Sequence, residues 1–234
     1  MEQIEKEMFK LWSETDEYMN HIKEAKANIE KILKNEKCII LYSGGKDSSV
    51  MLHLCMRINK ETPVYFFNAG YDYESKQMKT PPEIVSDITE NAKLFGVKKL
   101  YIRGGYGPKP SRFFGHLSTI KKSLDVDTEL LGLRKEESSG RKGRIRNTLV
   151  QIEGSRKLGF PIKNLTWKDV WAYIIEHKMK YLSTYDKYAA IVGWDKARFT
   201  SLFSKGIIHE GGSYYIDGVI MPEFRNATNK EVIQ

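Results

Sequence analysis

A chain of 234 residues, 41% hydrophobic and 29% charged, has the material for one good core with a small appended lobe, and its composition is that of a globular protein rather than a disordered one. Its two cysteines, Cys38 and Cys55, form no CxxC pair, which excludes a disulfide framework and a cysteine-built zinc or iron-sulfur site. The formal charge of +8 favours anionic partners such as nucleotides, phosphate, sulfate or nucleic acid, without choosing among them.

Residues 1 to 36 read as two helices broken near Ser13-Glu14-Thr15-Asp16. An apolar stripe runs through Ile4, Met8, Leu11 and Trp12, then Tyr18, Met19, Ile22, Ala25, Ile29 and Ile32; it suits docking on the core or a homodimer contact. The acidic start lacks a signal peptide's apolar stretch, and no apolar run reaches the length of a membrane span, so the expectation is a soluble, cytoplasmic chain without membrane contact.

Residues 37 to 43 then predict an apolar strand that ends in a glycine-rich turn, followed by a helix with Val50, Met51, Leu54, Cys55 and Ile58 on one side. Strands over 63–68 and 98–103, a helix over 82–95 between them, a helix over 111–124 and a strand over 128–133 continue the alternation. The expected fold is a doubly wound parallel α/β sheet, with residues 37–180 as the main domain. A charged segment spans Arg134 to Arg146, and a hairpin turns at Gly154-Ser155. Thr166 to Asp169 has capping-box spacing and opens a helix to about 177. Residues 181–234 form a small C-terminal lobe, with a helix over about 195–205 and irregular or hairpin structure over 214–221.

The chemistry concentrates in Ser43-Gly44-Gly45-Lys46-Asp47-Ser48. Small residues between a buried strand and a helix let backbone N–H groups converge on a phosphate, and the helix adds its positive end. Ser43 and Ser48 supply hydroxyl donors and Lys46 a mobile charge, while Asp47 is a candidate helix cap or magnesium ligand. The pattern is neither Walker A nor GxGxxG. It resembles the SGGxDS signature of the PP-loop ATP pyrophosphatases, in the form typical of the phosphoadenosine phosphosulfate (PAPS) reductase branch.

Further segments carry the resemblance over about residues 37–187. Phe66-Phe67-Asn68-Ala69-Gly70-Tyr71 is similar to the family's second-strand motif, with Asn68 and Ala69 departing from Asp-Thr; Asn68 and Gly70 are implied to lie beside adenosine, though an ordinary strand exit is the rival reading. Gly132-Leu133-Arg134-Lys135-Glu136-Glu137-Ser138-Ser139-Gly140-Arg141 resembles the family's Gly-hydrophobic-Arg-x-x-Glu-Ser-x-x-Arg segment, implying that Arg134 and Arg141 face anionic substrate groups. A solvated basic loop is the simpler alternative, and nucleic acid is disfavoured because aromatics are not interleaved. Trp167-Lys168-Asp169-Val170-Trp171 and Tyr185-Asp186-Lys187 resemble later family motifs, and their aromatics read as core residues.

The resemblance fails at one point. PAPS and APS reductases attack with a cysteine thiolate near the C-terminus, and here no cysteine follows Cys55. The first reading is therefore an adenylyltransferase in which an acceptor oxygen attacks the α-phosphate of ATP and magnesium pyrophosphate leaves. Lys46, Arg134 and Arg141 are its candidate catalytic residues, the acceptor is an anionic small molecule, and Asp72 and Glu137 are candidates for proton transfer. A sulfonucleotide enzyme using an external thiol and a nucleotide-binding module without turnover are the alternatives.

Overall fold

The apolar runs at residues 38–40 and 64–67, and the segment at 128–130, become strands buried on both faces, and the amphipathic stretches between become the helices that cover the sheet. A computed structural model of the chain describes residues 1–72, 77–78, 80, 82–104, 110–182, 185–186, 189–190 and 193–197. In chain order the elements are α1 (Gln3–Ser13), α2 (Asp16–Asn35), β1 (Cys38–Leu41), α3 (Lys46–Ile58), β2 (Val64–Asn68), β3 (Tyr71–Asp72), β4 (Gln77–Met78) and α4 (Pro82–Leu94). They continue with β5 (Leu100–Gly104), α5 (Pro110–Leu124), β6 (Thr128–Leu131), α6 (Ser139–Arg144), β7 (Val150–Glu153), β8 (Arg156–Gly159) and α7 (Trp167–Glu176).

Six strands form one sheet in the order β5-β2-β1-β6-β8-β7, parallel except for β7, which pairs antiparallel at the edge. The chain steps outward from β1 to β2 to β5, then returns across β1 to place β6 on its other side. Winding therefore reverses between β1 and β6, and the crevice at their carboxyl ends is where such sheets bind ligands. Alternating side chains divide the core. Ile40, Val64 and Phe66 meet the buried faces of α2, α3, α4 and α7, whereas Ile39, Tyr65 and Phe67 meet Leu117 and Ile120 of α5.

The N-terminal helices break where the Thr15 hydroxyl accepts the Tyr18 N–H and starts α2. Their stripe divides. Phe9, Tyr18, Ile22, Ala25, Ile29 and Ile32 are buried, while Ile4, Met8, Leu11 and Met19 remain exposed. Asp169 does more than cap α7: its carboxylate accepts the Thr166 N–H (2.7 Å) and the Trp12 indole N–H (2.9 Å), and His21 Nδ1 lies 2.9 Å away. It is the buried anchor that joins α1 and α2 to α7.

The structure departs from the sequence reading in three places. β6 stops at Leu131 because Gly132 turns against the start of α3. The charged segment holds a 3-10 turn at Lys135–Glu137 and the short helix α6, capped by the Ser138 hydroxyl; none of their residues is buried, so no apolar period announced them. β3 and β4 form a two-residue antiparallel pair too short to show as a pattern. Residues 194–196 form a turn, and the remainder of the expected C-terminal helix and hairpin lies outside the described residues. Among the described residues no helix is long and apolar enough to cross a membrane.

One titratable contact lies in the packing of α3 on α7. His53 Nδ1 is 2.9 Å from the Tyr173 hydroxyl, its ring stands 5.2 Å from that of His177, and burial pushes its pKa down from 6.5 to about 4, helped by His177 and Arg57. A histidine depressed in the folded state stabilises the fold above its unfolded pKa and withdraws that stability as protons are taken up. Urea midpoints should therefore fall as pH drops from about 6.5 towards 4. His53→Gln should flatten that part of the profile; an unchanged slope would contradict this account.

Candidate functional site

The crevice at the reversal point is built by two loops. Tyr42 to Gly45 lead from β1 into α3, with Gly44 in the left-handed region at φ 77°, a conformation that disfavours any side chain. Gly45 is the residue before α3 and offers no side-chain acceptor to the first amides of the helix, where the positive end of the helix dipole lies. Ser43 is exposed, its hydroxyl 3.0 Å from that of Ser48, and Ser48 Oγ donates to the Gly45 carbonyl at 2.9 Å. The second loop follows β6. A Cβ on Gly132 would stand 2.7 Å from Ser48 Cα, so only glycine lets this loop press on the helix start.

That contact brings opposite charges together in the interior. Arg134, exposed to 2%, donates from Nε to Asp47 Oδ1 and from Nη1 to Glu136 (2.8 Å) and the Leu165 carbonyl (3.2 Å). Lys46, also exposed to 2%, places Nζ 3.1 Å from Asp47 Oδ2. Burial pushes the Asp47 carboxyl upward, but Arg134 and Lys46 outweigh it and hold the group below the usual carboxylate range. Burial lowers the Lys46 pKa, against the opposing pull of Asp47. The Arg134 guanidinium, expected to face an anionic substrate group, is thus turned inward onto protein partners.

Arg141 is placed differently. It is half-buried on α6 and ion-paired with Glu137, whose carboxylate also accepts the Arg134 backbone N–H at 2.9 Å. So engaged, Glu137 is a poor candidate for a general base. Asn68 ends β2 with Oδ1 accepting the Gly70 N–H at 2.9 Å, and Gly70 takes φ 60°. Both residues lie at the carboxyl edge of the sheet, on the β2 side of the crevice. Asp72 belongs to β3, and its side chain is outside the described residues.

One contributor reads from the sequence as core only. Tyr185, fully buried, accepts the Lys46 N–H on its hydroxyl at 3.2 Å, and its ring lies 5.5 Å from Lys46 Nζ. It sits in the Tyr-Asp-Lys run, but an aromatic residue there gives no sign of polar duty. Asp47 does not fit a resident magnesium ion, because each of its oxygens already faces a cation and no cluster of three His, Cys, Asp or Glu occurs among the described residues. Cys38 and Cys55 are both free and buried.

Sequence relatives are reductases. The chain is 24% identical over 181 residues to adenosine 5'-phosphosulfate reductase 2 of Bacillus subtilis, covering 71% of this chain and 74% of that protein. It is 26% identical over 152 residues to a phosphoadenosine 5'-phosphosulfate reductase of Xanthomonas oryzae pv. oryzae, covering 59% of this chain and 62%, under two thirds, of the relative. Solved structures share the fold. Yeast FAD synthetase in complex with FAD aligns with a TM-score of 0.56 at 15% identity, covering 78% of this chain and 69% of that one. The Candida auris PAPS reductase, in a phosphate complex, aligns at 0.52 with 15% identity, covering 80% and 93%. The phosphoadenosine phosphosulfate reductase domain matches residues 37–202, from the first strand past the last described helix, and the chain belongs to that family.

Proposed function

We propose that Ser43 to Ser48 hold the β- and γ-phosphates of ATP, and that the chain transfers AMP to an oxygen of an anionic acceptor. The acceptor oxygen bonds to the α-phosphorus, the bond from that phosphorus to the bridging oxygen of the β-phosphate breaks, and pyrophosphate leaves with the electron pair. The loop amides, the α3 dipole and Lys46 stabilise charge on the departing pyrophosphate. Asn68 and Gly70 border the adenosine, and Arg141 orients the acceptor. Arg134 acts through Asp47, fixing the loop in register with the β6 edge. Magnesium enters as part of the MgATP substrate, since a third cation on Asp47 would be repelled by the two already there.

The observation that carries this reading is the state of the thiols. Cys55 is fully buried and burial pushes its pKa up; Cys38 is exposed to 5% and pushed up to about 12, again by burial first. A protonated, enclosed thiol is not a nucleophile, and the sequence holds no other. The second reading, cleavage of a sulfonucleotide with a thiol supplied from outside, is favoured by the reductase relatives.

Incubation with ATP, magnesium and a panel of anionic metabolites separates the two: acceptor-dependent release of pyrophosphate with an AMP adduct is expected. Sulfite released from PAPS with an added thiol, with ATP left intact, contradicts it. For the loop itself, Ser48→Ala and the volume-conserving Lys46→Met should each weaken ATP binding by roughly tenfold or more, by removing charge-assisted or hydroxyl contacts to phosphate. Calorimetric titration reads this out, and wild-type affinity in both variants would remove the loop from the site.

A further inference from the structure

The first amide of a helix usually finds its acceptor in the residue before the helix or in solvent. Here the preceding residue is Gly45, and the Lys46 amide is buried. Its acceptor comes from 139 residues away, in the hydroxyl of Tyr185. The tyrosine ring is locked edge-on against Trp171, with centroids 5.3 Å apart, and Trp171 is itself fully buried. Burial, with the Asp47 charge close by, pushes the Tyr185 pKa up, so the group stays a neutral phenol. The hydroxyl also stands 3.6 Å from where a Cβ on Gly45 would lie, in contact with the turn that shapes the loop.

A phosphate oxygen needs this same amide. We propose that the Tyr185 hydroxyl is a built-in stand-in for a phosphate oxygen, occupying the Lys46 amide in the free protein and yielding it when a phosphate-bearing ligand binds, so that Tyr185 sets the affinity of the loop. The inference rests on the reading of Ser43 to Ser48 as the phosphate site. A single N–H directed at one acceptor cannot serve both at full strength. The exchange runs towards phosphate because a charge-assisted bond is about twice as strong as one to a neutral hydroxyl. The rest of the loop is satisfied from within in the same manner: Ser43 and Ser48 meet each other, and Lys46 Nζ meets Asp47. Binding therefore replaces internal partners at each position, and Tyr185 is the partner contributed by a distant part of the chain.

The test uses the full-length chain and inorganic pyrophosphate, in wild type and Tyr185→Phe. The substitution keeps the ring and its packing on Trp171 and removes only the hydroxyl. The Lys46 amide is then buried without an acceptor in the free protein and regains one in the complex. Tyr185→Phe should melt at lower temperature when free, bind pyrophosphate roughly tenfold more tightly in calorimetry, and recover most of the melting deficit when pyrophosphate is saturating. A purely structural tyrosine would lower the melting temperature and leave the affinity unmoved. Equal or weaker binding by the variant, with wild type binding normally, overturns this inference alone. If wild type does not bind pyrophosphate, the phosphate-site reading falls and carries this one with it.

Discussion

The buried pairing of Arg134 with Asp47 ties the loop after β6 to the start of α3, and the shape of the crevice depends on it. Removing one member of a buried pair typically costs about 3–5 kcal/mol, because the other charge is left without a partner. The Asp47 carboxylate also sits at the positive end of α3, where an anion is favoured, and Lys46 adds a second cation at 3.1 Å. The three charges do not neutralise one another: one carboxylate faces two cations. Glu136, paired with Arg134, and Glu137, paired with Arg141, bring these six side chains to formal neutrality, so the positive end of the α3 dipole is what favours an anion at the crevice.

The same arrangement explains why neighbouring glycines matter for different reasons. Gly44 allows the left-handed turn that swings the chain from strand to helix, and Gly132 allows the backbone of the second loop to touch the first. A larger residue at Gly132 would part the loops and stretch the Arg134 to Asp47 contact. The apolar strands position this geometry and have no part in its chemistry, as the open α/β arrangement allows.

Much of this was legible in the sequence. The alternation of apolar runs and amphipathic stretches located the parallel strands and their helices, and the loop announced itself through small residues between a buried strand and a helix. What escaped notice had no local signal. The motif marks Arg134 and suggests an anionic substrate partner, but its inward turn depends on Asp47, which lies 87 residues earlier and meets it only in the folded sheet. Tyr185 reads as core because its ring is core; only the position of its hydroxyl gives it a second duty. Asp169 reads as a helix cap, and its bonds to Trp12 and His21 come from a helix pair docked across the domain. α6 carries no buried residue, so no period marked it.

The chain belongs to the PAPS reductase family, yet both of its thiols are enclosed. On the proposed reading the nucleophile comes from a substrate or from another molecule, and the loop bears the phosphate charge. The most direct test is a crystal structure of the full chain soaked with inorganic pyrophosphate. The account predicts pyrophosphate in the β1–β6 crevice, held by the amides at the start of α3 and the hydroxyls of Ser43 and Ser48. Pyrophosphate bound elsewhere, with the loop keeping its internal partners, would contradict it.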